Sequence, residues 1–207
     1  MSAGFDPGTG LGPRLRLARE ERQLSVRELA RRIGCSASLI SQIERGVSVP
    51  SVGVLYSLAT ELDTSLDHLL FGADQRRPAA EPVASAPAPV APGIVQRGNC
   101  RSIIDLASGV RWERLTPGAD AMTDFLEVVY SPGGHSADER RPLRHDGHEY
   151  GLVISGTLQA NVGFESYELG PGDSIAFDSS TPHEYLNKTG EPVHAIWVVV
   201  HSEPGRA

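Results

Sequence analysis

The chain has 207 residues, of which 40% are hydrophobic and 22% are charged, an ordinary composition for one large or two small globular domains. No apolar run approaches the roughly 20 residues that a membrane helix needs, and residues 1–12 lack the basic start and apolar centre of a secretory signal. We therefore expect a cytoplasmic protein with no membrane partner. Cys35 and Cys100 lack paired-ligand spacing, which argues against a disulfide framework or a cysteine-based zinc site.

The net charge of −7 is spread unevenly along the chain. Residues 1–72 carry eight basic and eight acidic groups, residues 73–93 carry two of each, and residues 94–207 carry nine basic and sixteen acidic groups. Binding to nucleic acid needs local positive charge, so we expect it in the N-terminal part. Within that part, residues 11–50 hold eight arginines against four glutamates.

Short amphipathic helices are predicted after a loose tail at residues 1–10, which is rich in glycine and small residues. The first helix covers residues 11–23, and the second follows Ser25, with Glu28 in the capping-box position. Later helices begin at Ser51 and Ser65, the last one ending at Gly72. The N-terminal part is therefore predicted to be a small helical bundle.

The third helix, Ser36 to Arg45 (SASLISQIER), has one face for packing and one for recognition. At about 100° per residue, the apolar residues share one side, and the other side carries Ser38, Ser41, Gln42 and Arg45. Ser36 suits an N-cap, and Gly46 supplies a left-handed residue that ends the helix. A short helix with an apolar face and a polar face is typical of a DNA-reading element.

The run LSVRELARRIGCSASLISQIERGVSVPS resembles the helix-turn-helix of the lambda-repressor-like, XRE-type regulators. The resemblance covers Leu11 to about Gly72 and implies a five-helix DNA-binding domain whose third helix enters the major groove, as a dimer on paired half-sites. The expected partner is double-stranded DNA. The expected DNA-contacting residues are Arg27, Ser36, Ala37, Ser38, Ser41, Gln42 and Arg45.

Residues 73–93 contain five prolines and seven alanines in 21 positions. Proline-rich sequence favours extended polyproline II geometry, so this stretch is predicted to be a linker between two domains. Residues 94–207 form the second domain. There the apolar pattern changes to alternating or short continuous runs separated by Gly and Pro turn signals, which predict many short strands in a sandwich or small barrel.

Two segments of the second domain resemble the two sequence motifs of the cupin barrels. They are RHDGHEYGLVISG, from Arg144 to Gly156, and LGPGDSIAFDSSTPHEYLN, from Leu169 to Asn187. The resemblance implies a double-sheet barrel that takes ligands at its mouth. The expected fold class is therefore a multidomain α + β protein with a helix-turn-helix bundle and a cupin barrel.

Metal-binding cupins use two His and one Glu of the first motif and one His of the second. Here Leu143 stands at the first His position, so the resemblance carries over to His145, Glu149 and His183. Two His and one carboxylate suit a divalent ion such as Fe, Zn, Mn or Ni. The alternative is that these polar residues bind an organic effector directly. The expected effector-pocket residues are His148, Tyr150 and Asn187, and His148 is not expected to be a ligand because strand neighbours point opposite ways.

Two functions fit both resemblances, and a third, weaker possibility is a non-catalytic carbohydrate- or metabolite-binding protein whose helical domain only dimerises. The first is a transcriptional regulator whose cupin domain senses a small-molecule effector. The second is a mononuclear iron oxygenase like the hydroxypropylphosphonate epoxidases, which also resemble a helix-turn-helix joined to a cupin. We favour the regulator, without catalytic residues, because the reading helix is intact and because a long linker suits a tethered DNA reader. The sequence does not indicate which effector binds, which operator is recognised, or whether the protein represses or activates transcription.

Overall fold

The computed structural model describes residues 7–72, 93–118, 120, 122–137 and 142–201. The predicted linker lies outside the described residues except for Gly93, and so do residues 1–6 of the predicted tail. Within the described residues, five helices precede nine strands, separated by a short 3-10 helix at Gly98–Cys100. In the part of the chain that is described, no helix has the length and apolarity required to cross a membrane.

The five helices are α1 (Pro7–Glu21), α2 (Val26–Ile33), α3 (Ala37–Glu44), α4 (Val52–Leu62) and α5 (Leu66–Phe71). Each of α2 to α5 follows a serine whose hydroxyl accepts a backbone N–H of the first turn, and these serines are Ser25, Ser36, Ser51 and Ser65. These side-chain caps satisfy donors that a helix start leaves unpaired. The predicted starts of α2 to α5 are confirmed.

The prediction for the first helix was wrong at both ends. Helix α1 begins at Pro7, so the last four residues of the predicted tail are helical, and it ends at Glu21, two residues early. Proline is favoured in the first helical turn, where its fixed φ suits the helix and its missing N–H costs nothing. At the other end Gln23 takes a left-handed φ of 56°, which stops the helix.

Helix α1 holds the third helix in place. The guanidinium of Arg19 makes two bonds to the Glu44 carboxylate, with Nε to Oε1 at 2.6 Å and Nη2 to Oε2 at 3.1 Å. The helices also approach closely at Gly12, where a Cβ would lie 2.6 Å from the carbonyl oxygen of Glu44. A small residue and a buried ion pair therefore fix the end of α3 against α1.

The strands form two sheets. Their bounds are β1 (Ile103–Asp105), β2 (Val110–Arg114), β3 (Thr123–Tyr130), β4 (His148–Ser155), β5 (Leu158–Val162), β6 (Glu165–Leu169), β7 (Ser174–Asp178), β8 (His183–Leu186) and β9 (Val193–Val200). One sheet has the order β1-β2-β3-β9-β4-β7 and the other β6-β5-β8. The described strands pair antiparallel throughout both sheets, in agreement with the predicted double-sheet barrel.

Six of these strands correspond to the apolar runs of the sequence, which are VRWERL, FLEVVY, YGLVISGTLQANV, DSIAFD and PVHAIWVVV. Strands β1, β6 and β8 were not predicted. Strand β6 is exposed at four of its five positions, so it lacks the alternation that marks a half-buried strand. Strand β9 shows the opposite case, because it alternates buried and half-buried positions over nearly its whole length. Its inward residues Val193, Ala195, Trp197 and Val199 form part of the barrel core.

The helical unit lies against the barrel. The predicted linker had instead suggested a DNA-binding domain that is tethered without such a contact. The N–H of Ala107 donates to the carbonyl of Pro50 at 3.2 Å, and the guanidinium carbon of Arg114 lies 4.9 Å from the centre of the Phe71 ring. The buried residues of both units form one continuous apolar cluster. The physical reason is helix α4, which buries residues on the bundle side and also against the barrel.

Candidate functional site: a buried two-histidine, one-carboxylate cluster and an exposed helix

Three polar side chains meet inside the barrel. His145 precedes β4, Glu149 is the second residue of β4, and His183 begins β8. The Nε2 atom of His145 lies 2.7 Å from Oε1 of Glu149, and Nε2 of His183 lies 3.0 Å from the same oxygen. All three side chains are at least 92% buried. The structure thus brings together the three residues expected as metal ligands.

Neighbouring groups set the direction of each ligand atom. Nδ1 of His183 lies 2.8 Å from the carbonyl oxygen of Thr181, and Nδ1 of His145 lies 3.2 Å from that of Asp146. A carbonyl oxygen can only accept a hydrogen bond, so each Nδ1 donates its hydrogen, and the lone pair of each neutral imidazole is on Nε2. The two imidazoles therefore face Glu149 with the atoms that can bind a metal.

The carboxylate of Glu149 is held from two strands. Oε2 accepts a hydrogen bond of 2.6 Å from the hydroxyl of Tyr185 on β8 and one of 2.7 Å from Nε1 of Trp197 on β9. Burial raises the pKa of Glu149, but hydrogen bonds and positive charge from the imidazoles in their protonated form outweigh that effect and hold its pKa well below the ordinary value. Glu149 is therefore a fixed carboxylate whose Oε1 is directed at the imidazoles.

The donor set fits a divalent cation. Nε2 of His145, Nε2 of His183 and Oε1 of Glu149 are buried and have no hydrogen bond of good geometry to any described residue, although they lie within ion-pair distance of one another. A buried polar atom without a partner costs about 1–3 kcal/mol. One ion would satisfy all three atoms, and two imidazoles with one carboxylate are the ligands of open, three-ligand sites.

Leu143 limits the candidate ligand set to three residues. It exchanges two backbone hydrogen bonds with His183, of 2.8 and 3.0 Å, and its side chain lines the pocket. The position that carries the first histidine in metal-binding cupins is thus beside the cluster, but it is apolar here.

A pocket beside the cluster reaches Glu149 and is otherwise mostly aromatic and aliphatic. Its free cavity is about 20 Å³, which holds an ion or one water molecule. Its walls are Val52, Tyr56, Trp112, Leu126, Val128, Tyr130, Ser136, Leu143, Glu149, Tyr185, Trp197 and Val199. Two of these, Val52 and Tyr56, come from helix α4. The ring of Tyr56 stacks on His145, with centroids 4.2 Å apart and planes 9° from parallel.

Sequence reasoning missed three residues of this site. Tyr185 and Trp197 had a usable signal, because Tyr185 is two residues after His183 and Trp197 alternates with the apolar residues of β9, so each faces inward. Tyr56 had no such signal, since the apolar pattern of a helix does not show which of its faces contacts another domain.

The structure places His148, Tyr150 and Asn187, the expected effector residues, away from the pocket that contains Glu149. His148 and Tyr150 flank Glu149 on β4 and therefore point away from the interior; Tyr150 is 48% exposed. Asn187 is buried, but its amide closes a turn by donating to the carbonyls of Tyr130 and Glu191 and accepting from Thr189. None of the three lines the described pocket.

The expected DNA-contacting side chains lie on or beside α3. Ser38 and Arg45 are exposed, Ser41 and Gln42 are half-buried, and the opposite face buries Ile40 and Ile43. Of the other expected residues, Ser36 caps the helix by accepting from the N–H of Leu39 at 3.1 Å, Ala37 is half-buried, and Arg27 is exposed on α2.

Most arginines of the helical unit are occupied by contacts within the unit. Arg16, Arg19, Arg22, Arg31 and Arg32 pair with carboxylates, and Arg14 donates to the carbonyls of Leu69 and Leu70 at the end of α5. Among the described residues, Arg27 and Arg45 have no carboxylate within ion-pair distance. These two cations of the unit are left available for phosphate.

Comparisons with known proteins agree with both halves of this architecture. Residues 15–69 match the family model described as Helix-turn-helix, and residues 126–199 match the Cupin domain model. The chain is 27% identical over 184 residues to the HTH-type transcriptional regulator PuuR of Escherichia coli, covering 88% of this chain and 90% of that protein. It is 24% identical over 184 residues to the HTH-type transcriptional regulator SutR of the same organism, with coverages of 89% and 90%.

A solved structure shows the same fold over nearly the whole chain. The crystal structure of an HTH_3 family transcriptional regulator from Vibrio cholerae superposes with a TM-score of 0.65 at 22% identity, covering 96% of this chain and 98% of that chain. The predicted fold class, a helix-turn-helix bundle followed by a cupin barrel, is confirmed.

Proposed function

We propose that this chain, which joins an XRE-type helix-turn-helix domain to a cupin domain, is a DNA-binding transcriptional regulator whose barrel senses a small molecule. The observation that carries the proposal is α3. It is capped at its start, packed on one face, and presents Ser38 and Gln42 on the other, with Arg45 beside them free of carboxylates. The similarity to PuuR and SutR over most of the chain supports the same function.

The polar side chains of α3 divide into two roles. Ser38 and Gln42 carry donor and acceptor groups that can bond base edges in the major groove, where each base pair shows a distinct pattern. Arg45, and Arg27 on α2, suit phosphate oxygens, which set position and affinity without reading sequence. Operator selectivity thus comes from the serine and the glutamine, and general affinity from the arginines.

A homodimer is part of this proposal, because one domain of this kind reads one half-site and paired half-sites lie about one DNA turn apart. The outer face of the larger sheet supports a second copy as the partner. Tyr150, Leu152 and Ile154 on β4 are 48%, 39% and 52% exposed, and β9 places Val198 and Ile196 beside the first two. An apolar patch of this kind marks an interaction surface, and a self-complementary patch gives a two-fold dimer.

In the barrel, His145, Glu149 and His183 would hold a divalent metal such as Fe, Zn, Mn or Ni. Such an ion would supply a positive charge and open positions for a ligand's donor atoms. The protein's own part is to keep both imidazoles oriented through Thr181 and Asp146, and to exclude water with the apolar wall around them. The effector is proposed to bind at this cluster.

The test selects bound fragments from the host genome with the full chain and then compares variants on the operator obtained. Ser38→Ala and Gln42→Ala should each weaken operator binding by about 1–3 kcal/mol and leave scrambled duplex unaffected. Arg45→Ala should weaken both duplexes alike. Arg16→Ala is the matched control, because Arg16 is an exposed arginine already paired with Glu20 on α1. Equal binding of operator and scrambled duplex by the unaltered protein would contradict the proposal.

The two-histidine, one-carboxylate cluster also favours a second candidate, an iron-dependent oxygenase. Measurements on the same protein and on its His183→Ala variant distinguish the regulator from the oxygenase. If host metabolite extract changes operator affinity and His183→Ala abolishes that change, the regulator stands. If extract leaves affinity unchanged while iron-loaded protein consumes oxygen with it, and His183→Ala stops the consumption, the enzyme replaces it.

A further inference from the structure

Tyr56 belongs to the DNA-binding unit, but its ring lies in the barrel. It is 8% exposed, it stacks on the imidazole of His145 at 4.2 Å, and its edge meets Trp112 with centroids 6.0 Å apart. Val52, one helical turn earlier, is 2% exposed and lines the same pocket. Helix α4 therefore closes the barrel over the His145, Glu149 and His183 cluster.

The space left beneath Tyr56 is too small for an organic effector. With the ring in place, the cavity is about 20 Å³, enough for an ion or one water molecule. Drug-sized ligands need pockets of about 300 Å³ or more. An organic molecule that reaches the cluster must therefore take the volume that Tyr56 fills.

The position of Tyr56 also indicates what chemistry would replace it. Its phenol ring lies flat on an imidazole, among the rings of Trp112, Tyr130, Tyr185 and Trp197 that line the same pocket. Aromatic walls favour stacked and edge-on contacts with another ring. A small planar aromatic molecule would reproduce the contacts that Tyr56 makes, whereas a flexible aliphatic chain would not.

We propose that Tyr56 is an intramolecular occupant of the effector position, and that the effector is a small planar aromatic molecule that displaces it. Docking of α4 and occupation of the barrel then exclude each other. Because α4 follows the reading helix and the carbonyl of Pro50 between them bonds to Ala107 of the barrel, displacing Tyr56 releases the reading helix from its fixed position on the barrel. The consequence for DNA rests on the proposed function, whereas the competition itself does not.

The competition can be tested on the full chain with p-cresol, which is the side chain of tyrosine as a free molecule. Tyr56→Ala leaves the ring's volume empty, so p-cresol should bind this variant at least about tenfold more tightly than the unaltered protein, whose competent fraction is small while Tyr56 is docked. Tyr56→Phe keeps the ring and should bind as weakly as the unaltered protein. Cyclohexanol, similar in size but not planar, should bind Tyr56→Ala more weakly than p-cresol.

Intrinsic fluorescence gives a direct readout, because the chain has two tryptophans and both Trp112 and Trp197 line the pocket. Calorimetry supplies the affinities. Equal p-cresol affinity in the unaltered protein and in Tyr56→Ala, or no binding to either, would overturn the competition. Cyclohexanol binding as tightly as p-cresol would overturn the aromatic class.

A second measurement does not depend on the alanine variant folding. Saturating p-cresol should speed amide hydrogen exchange across α4 in the unaltered protein and slow it in β8 and β9, and unchanged exchange in α4 would overturn displacement. On the selected operator, p-cresol should change the affinity of the unaltered protein and leave Tyr56→Ala unchanged. If the protein shows the competition but binds no operator, the proposed function is refuted and the displacement of Tyr56 stands. If it binds the operator but shows no competition, the displacement is refuted and the proposed function stands.

Discussion

Trp197 donates a hydrogen bond of 2.7 Å from its indole Nε1 to Oε2 of Glu149, and the two residues lie on paired strands of one sheet. Tyr185 donates to the same oxygen from the other sheet, at 2.6 Å. The Glu149 carboxylate thus bridges both sheets through one oxygen and leaves Oε1 for the imidazoles. The direction of the candidate metal ligand therefore depends on side chains that do not themselves reach the metal.

Removing one of these donors should weaken metal binding without removing a ligand. Trp197→Phe frees Glu149 to rotate, and loss of a partner of this kind costs about 10–100-fold in metal affinity. Competition of Zn²⁺ or Mn²⁺ binding with a chromophoric chelator measures the change. Tyr130→Phe is the matched control, since Tyr130 lines the same pocket but is not among the donors to Glu149, and its affinity should equal that of the unaltered protein.

Gly151 is required by the position of Trp197. The two residues are opposite each other on β4 and β9, and a Cβ at Gly151 would lie 2.6 Å from Cζ3 of the indole. Gly151→Ala should push the indole from its place and weaken metal binding as Trp197→Phe does, with a lower melting temperature. Gly190→Ala, in a turn with open space around the added methyl group, should change neither quantity.

The cluster of His145, Glu149 and His183 could be predicted from the sequence, because the two motifs that carry these residues hold them at fixed places in the barrel. The places that the structure gives Tyr150 and Asn187 were not predicted. Tyr150 is polar and close in sequence to the ligands, but the two-residue period of a strand turns it to the outer face. Asn187 matches the second motif, and its role proved to be closing a turn.

The helical unit divides in the same way. Its serine caps follow from local chemistry, and the starts of α2 to α5 were predicted correctly from them. The contact of Tyr56 with the barrel depends on surfaces more than 50 positions apart in sequence, which no local pattern encodes. The charge count was also an insufficient guide. Eight arginines indicated local positive charge, but most of them are bonded to other groups within the helical unit.

The Arg19 and Glu44 pair should be important for the stability of the reading helix. Both side chains are about nine-tenths buried, and removing one member leaves the other charge buried without its partner. Glu44→Gln should therefore lower the free energy of unfolding by about 3 kcal/mol, as measured by urea denaturation. Asp105→Asn, which breaks an exposed pair with Arg111, is the control and should leave the urea midpoint nearly unchanged. A midpoint for Glu44→Gln equal to the control's would refute this role.

The pair of His201 and Asp124 should make stability depend on pH. Nε2 of His201 lies 2.8 Å from Oδ2 of Asp124, whose side chain is 4% exposed. The hydrogen bond to Asp124 raises the pKa of His201, against the opposing effect of burial. A raised pKa in the folded state stabilises the protein most below the ordinary imidazole value of about 6.5, and this stabilisation is lost as pH rises through the folded-state pKa.

Asp124→Asn removes the carboxylate and should therefore cost more stability at pH 5.5 than at pH 8.5. Urea denaturation of the unaltered protein and of the variant across this range measures the difference between them, which should shrink as pH rises. His68→Asn is the control, because His68 is exposed on α5 and its replacement should give a difference that is flat with pH. If the loss of unfolding free energy caused by Asp124→Asn stays constant or grows toward pH 8.5, the contact with Asp124 does not stabilise the protonated form of His201.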